Sequence, residues 1–174
     1  MERDEEKRRE FAAAIAEVNP DDVVYLDETG IEESLHREYA RAPRGNQVKT
    51  DVCGKKTCRT SVIAAWSRET KSILAPYAFD GYTDAKRFNG WVEQCLLPTL
   101  KQGQVVIMDN AAFHKSKKTK DLIESAGCRL IYLPPYSPDF NPIEHIWAVI
   151  KGYYRSFKRQ GYDHDNAIDE AFKV

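Results

Sequence analysis

Residues 104–133, QVVIMDNAAFHKSKKTKDLIESAGCRLIYL, decide the fold. Val105–Met108 is a short unbroken apolar run, the pattern of a buried strand, and it ends at Asp109. Ser116–Ala126 reads as a helix closed by Gly127, which suits the left-handed position just past a helix end. Leu130–Leu133 is a second strand, stopped by Pro134-Pro135. Strands joined through a helix pair in parallel, so this stretch is one parallel strand–helix–strand unit.

Upstream the pattern changes. Val23–Asp27 reads as a short strand, and SVIAAW (61–66) and ILAPYAF (73–79) as two more, with residues 67–71 as the turn between them. Strands joined by a turn pair antiparallel, and Pro76 marks the third as an edge or interrupted strand. Thr83 is a plausible N-cap for a helix through TDAKRFNGWVEQCLLPTL, with Phe88, Trp91, Val92, Cys95 and Leu96 on one face. Residues 4–18 form a helix by the spacing of Phe11, Ala14, Ile15 and Val18, and Asn19-Pro20 stops it. Downstream, Asn141-Pro142 opens another helix and a last one starts near Asp163. The expected fold is α/β: a mixed central sheet of about five strands flanked by helices, with residues 1–20 as a helical arm and 21–174 as one domain.

With 174 residues, 42% hydrophobic, the chain can build one sizeable core, and wholesale disorder is excluded. MERDEEKRRE at the start lacks the apolar core of a secretion signal, and no stretch approaches the ~20 apolar residues of a membrane span. Cys53, Cys58, Cys95 and Cys128 suit neither a disulfide framework nor a standard zinc site. A cytoplasmic protein with reduced thiols is expected. Net charge is −1, so a nucleic-acid partner needs a local basic surface. One candidate is residues 37–59, a poorly periodic loop or irregular hairpin containing Arg41 and Arg44, with seven basic and two acidic residues. The other is KGYYRSFKR (151–159).

The chemistry-bearing residues are carboxylates. Asp27 closes VVYLD and Asp109 closes VVIMD, both at strand ends, where α/β sheets place their ligands. Glu144 opens the helix after SPDFNPI, and 34 residues (110–143) separate it from Asp109. Carboxylates in one cleft can hold two Mg²⁺ or Mn²⁺ ions about 3.5–4 Å apart, the arrangement that drives phosphodiester displacement. Each has a plainer reading. Asp27 and Asp109 suit turns, and Glu144 at the third helical position suits a capping box with Asn141.

Around them, Lys151 and Arg155 share a helical stripe with Glu144, fit for a phosphate backbone or for a solvated face. Asn110 suits a substrate contact or a left-handed turn. His114 suits a phosphate contact, the orienting of a ligand, or an exposed or capping role. Glu28 should point away from Asp27 if the strand runs through it. Lys115, Lys117, Lys118 and Lys120 read as a solvated helix start, and Tyr132, Tyr136, Trp147, Tyr153 and Tyr154 as core or rim.

LDETG, MDNAAFHKS and LPPYSPDFNPIEHIWAVIK together resemble the DDE transposases of the mariner superfamily, most closely their bacterial insertion-sequence relatives. REYARAPRG and FDGYTDAKRFNGWVEQCLLPTL extend the resemblance over nearly the whole chain. It implies a ribonuclease-H-like fold and a Mg²⁺- or Mn²⁺-dependent recombinase, with Asp27, Asp109 and Glu144 as metal-binding catalytic residues. It also implies action on double-stranded DNA, at transposon ends and target, by a dimer or larger assembly at the nucleoid. Full-length members carry N-terminal helix-turn-helix modules, for which only about 20 residues precede the first catalytic strand here. The competing reading is a domesticated or remnant domain that binds DNA or protein without catalysis. An aspartyl-phosphate hydrolase is set aside, because Thr29 stands where that chemistry wants a second aspartate.

Overall fold

The computed structural model describes residues 4–34, 43–44 and 58–173. Five strands form one sheet in the order β3-β2-β1-β4-β5. β1 (Val23–Glu32), β2 (Arg59–Ser67) and β3 (Ser72–Asp80) are antiparallel neighbours. β4 (Val105–Met108) and β5 (Arg129–Tyr132) run parallel to β1. The mixed sheet is the one expected from the sequence.

Strand alternation divides the core into two layers. Val23, Tyr25 and Ile31 face α1 (Glu5–Ala16), α4 (Ile143–Arg159) and α5 (His164–Ala171), packing with Phe11, Trp147, Ile150, Tyr154 and Ile168. Val24 and Leu26 face α2 (Ala85–Trp91) and α3 (Lys117–Ser125), packing with Phe88, Trp91, Val92 and Ile123. The first helix is thus docked on the sheet through Phe11, with Ile15 and Val18 beside it.

Several expected boundaries move, each for a physical reason. β1 runs on to Glu32 because β2 pairs with it throughout, from Val24–Ser67 to Glu32–Arg59. Its parallel pairing with β4 ends at Tyr25–Ile107, so Asp27 lies where β1 outruns its neighbour. α2 is capped by Asp84, whose Oδ1 accepts from Arg87 N at 2.7 Å, rather than by Thr83. It gives way to a π-helical turn (Val92–Leu96) and a 3-10 turn (Leu97–Thr99). Pro98 has no N–H to continue an α-helix, and its ring crowds the carbonyl four residues back. α3 matches expectation, with Ser116 capping its start and Gly127 at φ +73° past its end.

β3 is an edge strand, as Pro76 requires. Its register slips opposite Ile63–Ala65, Ala75 takes φ +49°, and the indole of Trp91 donates to the freed Ala75 carbonyl at 2.8 Å. Among the described residues, no helix is long and apolar enough to cross a membrane. Cys58 is exposed, while Cys53 and most of the basic stretch 37–59, including Arg41, lie outside the described residues.

Candidate active site

A pocket of about 460 Å³ opens past the ends of β4 and β5, beside the part of β1 that outruns β4, and Asp27, Asp109 and Glu144 all line it. Asn110, Asn141 and the segment Leu133–Pro138 complete its wall. Each carboxylate comes from a different element: β1, the end of β4, and the first turn of α4.

Asp27 is 9% exposed. Its Oδ1 accepts from Glu28 N at 2.8 Å and its Oδ2 from Trp147 Nε1 at 3.3 Å. Burial above all, with the nearby Glu28 and Glu144 charges, pushes its carboxyl up to about 7 despite those two donors. Trp147 stands one turn after Glu144 on α4, so the indole bond also brings Glu144 to Asp27.

Glu144 does not close a capping box. α4 begins at Ile143 with Pro142 before it, so Glu144 is its second residue, and no side chain caps the helix. Asn141 is tied up in the preceding 3-10 turn (Pro138–Phe140), and its buried Oδ1 has no hydrogen-bond partner. The Glu144 carboxylate stands instead at the positive end of the helix dipole, on the pocket wall.

Asp109 is held on one side only. Its Oδ1 accepts from Ala111 N at 2.8 Å and meets His114 Nδ1 at 2.5 Å. The other imidazole nitrogen of His114 meets Glu28 Oε1 at 2.8 Å. Burial alone would raise the Asp109 carboxyl, but the His114 and Ala111 hydrogen bonds override it and hold it below the usual range. Burial likewise opposes a charge on His114, yet its two carboxylate partners outweigh that and raise it to about 9.

His114 has no exposed surface, and its two ring nitrogens meet Asp109 and Glu28, so it presents no face to a phosphate in this structure. Of the roles considered for it, orienting another group is the one its geometry fits. Glu28 faces away from Asp27, as the pleat demands, and the strand reading could not show that it would reach His114. Asn110 takes no left-handed turn; its side-chain amide donates to the Leu133 carbonyl, joining the ends of β4 and β5.

Lys151 and Arg155 are half-buried on α4. Burial lowers the Lys151 ammonium, while the Glu144 and Asp27 charges support it and Arg155 and Arg59 oppose it. Lys151 is therefore within electrostatic reach of the carboxylates. Arg44 is exposed. Lys117, Lys118 and Lys120 form exposed ion pairs with Asp121, Glu93 and Glu124, in keeping with a solvated helix start. The outer pocket wall has a brace that sequence reading missed. Arg8 of α1 binds Asp139 at 2.7 and 3.1 Å and Ser137 Oγ at 2.7 Å, with its guanidinium over the Phe140 ring.

Among the described residues, no three His, Cys, Asp or Glu side chains stand close enough to make a ready metal cage. The donor set nonetheless suits a hard cation. It consists of carboxylates plus the unpartnered Asn141 Oδ1, and Asp27 carries a proton affinity that positive charge would relieve.

The model of the DDE superfamily endonuclease family matches residues 22–165. The Tc1 transposase of Caenorhabditis elegans is 25% identical over 118 residues, covering 67% of this chain and 41% of that protein. An uncharacterized protein of Sinorhizobium fredii, y4pE/y4sA, is 33% identical over 64 residues, covering 37% of this chain and 44% of its own. That match gives the expected bacterial kinship only weak support. The chain thus spans less than half the length of these relatives. Among solved structures, the mariner Mos1 paired-end complex with Mg aligns over 96% of this chain and 57% of its own, at TM-score 0.65 and 15% identity. The same Mos1 complex with Mn aligns at TM-score 0.63 and 15% identity, over 96% and 56%. This likeness establishes the ribonuclease-H-like fold. The chain belongs to the DDE superfamily endonuclease family, with residues 22–165 as the matching region.

Proposed function

We propose that this chain is the catalytic domain of a DNA transposase that cuts at transposon ends and joins the freed 3′-hydroxyl to target DNA. The observation carrying this reading is the convergence of Asp27, Asp109 and Glu144, from three elements, on one pocket. Asp27, Asp109 and Glu144 would hold Mg²⁺ or Mn²⁺, as the Mos1 complexes with Mn and Mg suggest. Bound divalent ions supply activation of the attacking oxygen and stabilisation of the leaving one. In the first reaction, water attacks phosphorus and the bond to the 3′-oxygen breaks. In the second, that 3′-hydroxyl attacks a target phosphorus, and the bond from this phosphorus to the target strand's own 3′-oxygen breaks, releasing a target 3′-hydroxyl.

The chain's own residues set the conditions. Asp27, raised to about 7 by burial, would hold a cation as the carboxylate, its proton displaced. Lys151 and Arg155 would meet a phosphate backbone approaching the carboxylates, and Asn110, which lines the pocket, would contact the substrate. In this reading Arg41 and Arg44 are further DNA-contacting residues. Double-stranded DNA is the partner, worked on by a homodimer or larger assembly at the nucleoid.

Nicking of supercoiled plasmid by the chain in Mn²⁺, lost in Asp109→Asn and in Glu144→Gln, is the expected result. Folded wild-type protein with no divalent-dependent cleavage under any DNA condition would favour the non-catalytic, remnant reading. Cleavage surviving both substitutions would remove the carboxylates from the mechanism.

A further inference from the structure

We propose that the pair Glu28 and His114 aims the Asp109 carboxylate, so that only its Oδ2 is offered to a cation in the pocket. This rests on the reading of Asp109 as a cation ligand.

The geometry is specific. Asp109 Oδ1 is occupied twice, by Ala111 N at 2.8 Å and His114 Nδ1 at 2.5 Å. Oδ2 has no protein partner among the described residues, on a side chain half-exposed toward the pocket. A carboxylate with one oxygen fully engaged binds a metal through the other, as a one-oxygen ligand.

The imidazole that imposes this cannot turn away. It lies at 4.4 Å from the rings of both Phe88 and Phe113, is fully buried, and is anchored at its far nitrogen by Glu28 Oε1. Both ring nitrogens are therefore engaged by carboxylates, which leaves neither as a metal ligand. The anchor is also next in sequence to Asp27. One chain of contacts, Glu28–His114–Asp109, thus ties the middle of β1 to the end of β4 at a fixed spacing. Groups that orient a ligand in this way commonly change metal affinity 10–100-fold when lost.

The test is Mn²⁺ affinity of the whole chain without DNA, read from the electron paramagnetic resonance of the free ion, with thermal melts alongside. His114→Ala and Glu28→Ala are expected to weaken Mn²⁺ about 10–100-fold. Glu28→Gln keeps an oxygen facing His114 Nε2 and should hold affinity within about threefold of wild type, a rescue that lost folding would not produce. Affinities unchanged in folded Ala variants would overturn the proposal. So would a Glu28→Gln loss as large as that of Glu28→Ala, which would mean charge rather than aim. If His114→Ala fails to fold, Glu28→Ala decides on the same scale, and if both unfold, the pair is a purely structural clamp. Asp109→Asn separates the two levels. If it binds Mn²⁺ like wild type, the ligand assignment falls and the aiming role with it. If it loses the ion while the Ala variants keep it, only the aiming role falls.

Discussion

Trp147 Nε1 donates to Asp27 Oδ2 across 3.3 Å, the direct side-chain link between α4 and the carboxylate on β1. The indole is 2% exposed and belongs to the core, so a residue expected from sequence to be core or rim also orients the site. Trp147→Phe keeps an aromatic ring but removes the donor. Asp27, already at about 7, should then titrate higher, because that bond favours its charged form. The cost in stability should be about 1–3 kcal/mol from the smaller ring and the lost bond. A carboxyl NMR titration of Asp27 that does not move in Trp147→Phe would show that the bond contributes nothing.

Stability of the metal-free protein should fall as pH rises. Asp27 titrates at 3.8 in the unfolded chain and at about 7 in the fold, so between those values the folded state holds a proton that the unfolded state has lost. By linkage, stability declines with pH across that window, by on the order of 4 kcal/mol at most. His114 adds a second decline. Its raised value of about 9 gives stabilisation that is complete below 6.5 and lost as pH passes 9. Asp27→Asn should flatten the pH 4–7 limb and leave the upper one. Melting curves of wild type and Asp27→Asn that stay parallel from pH 4 to 7 would refute the Asp27 contribution.

Those two groups also mark what was legible in the sequence. Asp27 and Asp109 could be picked out because each closes an apolar run, and the period of two put Glu28 on the opposite face. The strand's true length was hidden, because Asp-Glu-Thr-Gly has good turn chemistry. It extends only because β2, far along the chain, pairs with it from Val24 to Glu32. Glu144 looked like a helix cap because Asn141-Pro142 is a strong helix start, but the 3-10 turn at Pro138–Phe140 moves the helix one residue later. The burial of His114 depends on Phe88 and Glu28, both long-range neighbours, and no local pattern encodes it.

Arg8 should matter to the pocket through the loop it holds. It reaches Ser137 and both Asp139 oxygens in a fork and covers Phe140 at 4.3 Å, and Ser137 and Pro138 line the pocket. A lysine cannot reproduce that fork. Arg8→Lys and Arg8→Ala should therefore both speed amide exchange in residues 134–141, leaving the β4 amides protected. Exchange in Arg8→Lys matching wild type would mean that charge alone holds the loop.

The basic edge beside the carboxylates can be tested without touching them. Gly30 carries no side chain where the Arg59 guanidinium lies, and an added Cβ would sit 2.6 Å from Arg59 Nε. The obstructing atoms are the end of a flexible side chain, so Gly30→Ala should shift the guanidinium while barely changing the melting temperature. Arg59 opposes the charge of Lys151 electrostatically, while Glu144 and Asp27 support it. If Lys151 and Arg59 both meet phosphates, Lys151→Ala should reduce the slope of log K against log salt for DNA binding by about 1, and Gly30→Ala by a similar amount. Slopes unchanged in both variants would assign Lys151 and Arg59 to the solvated face and move the DNA path to another side of the pocket.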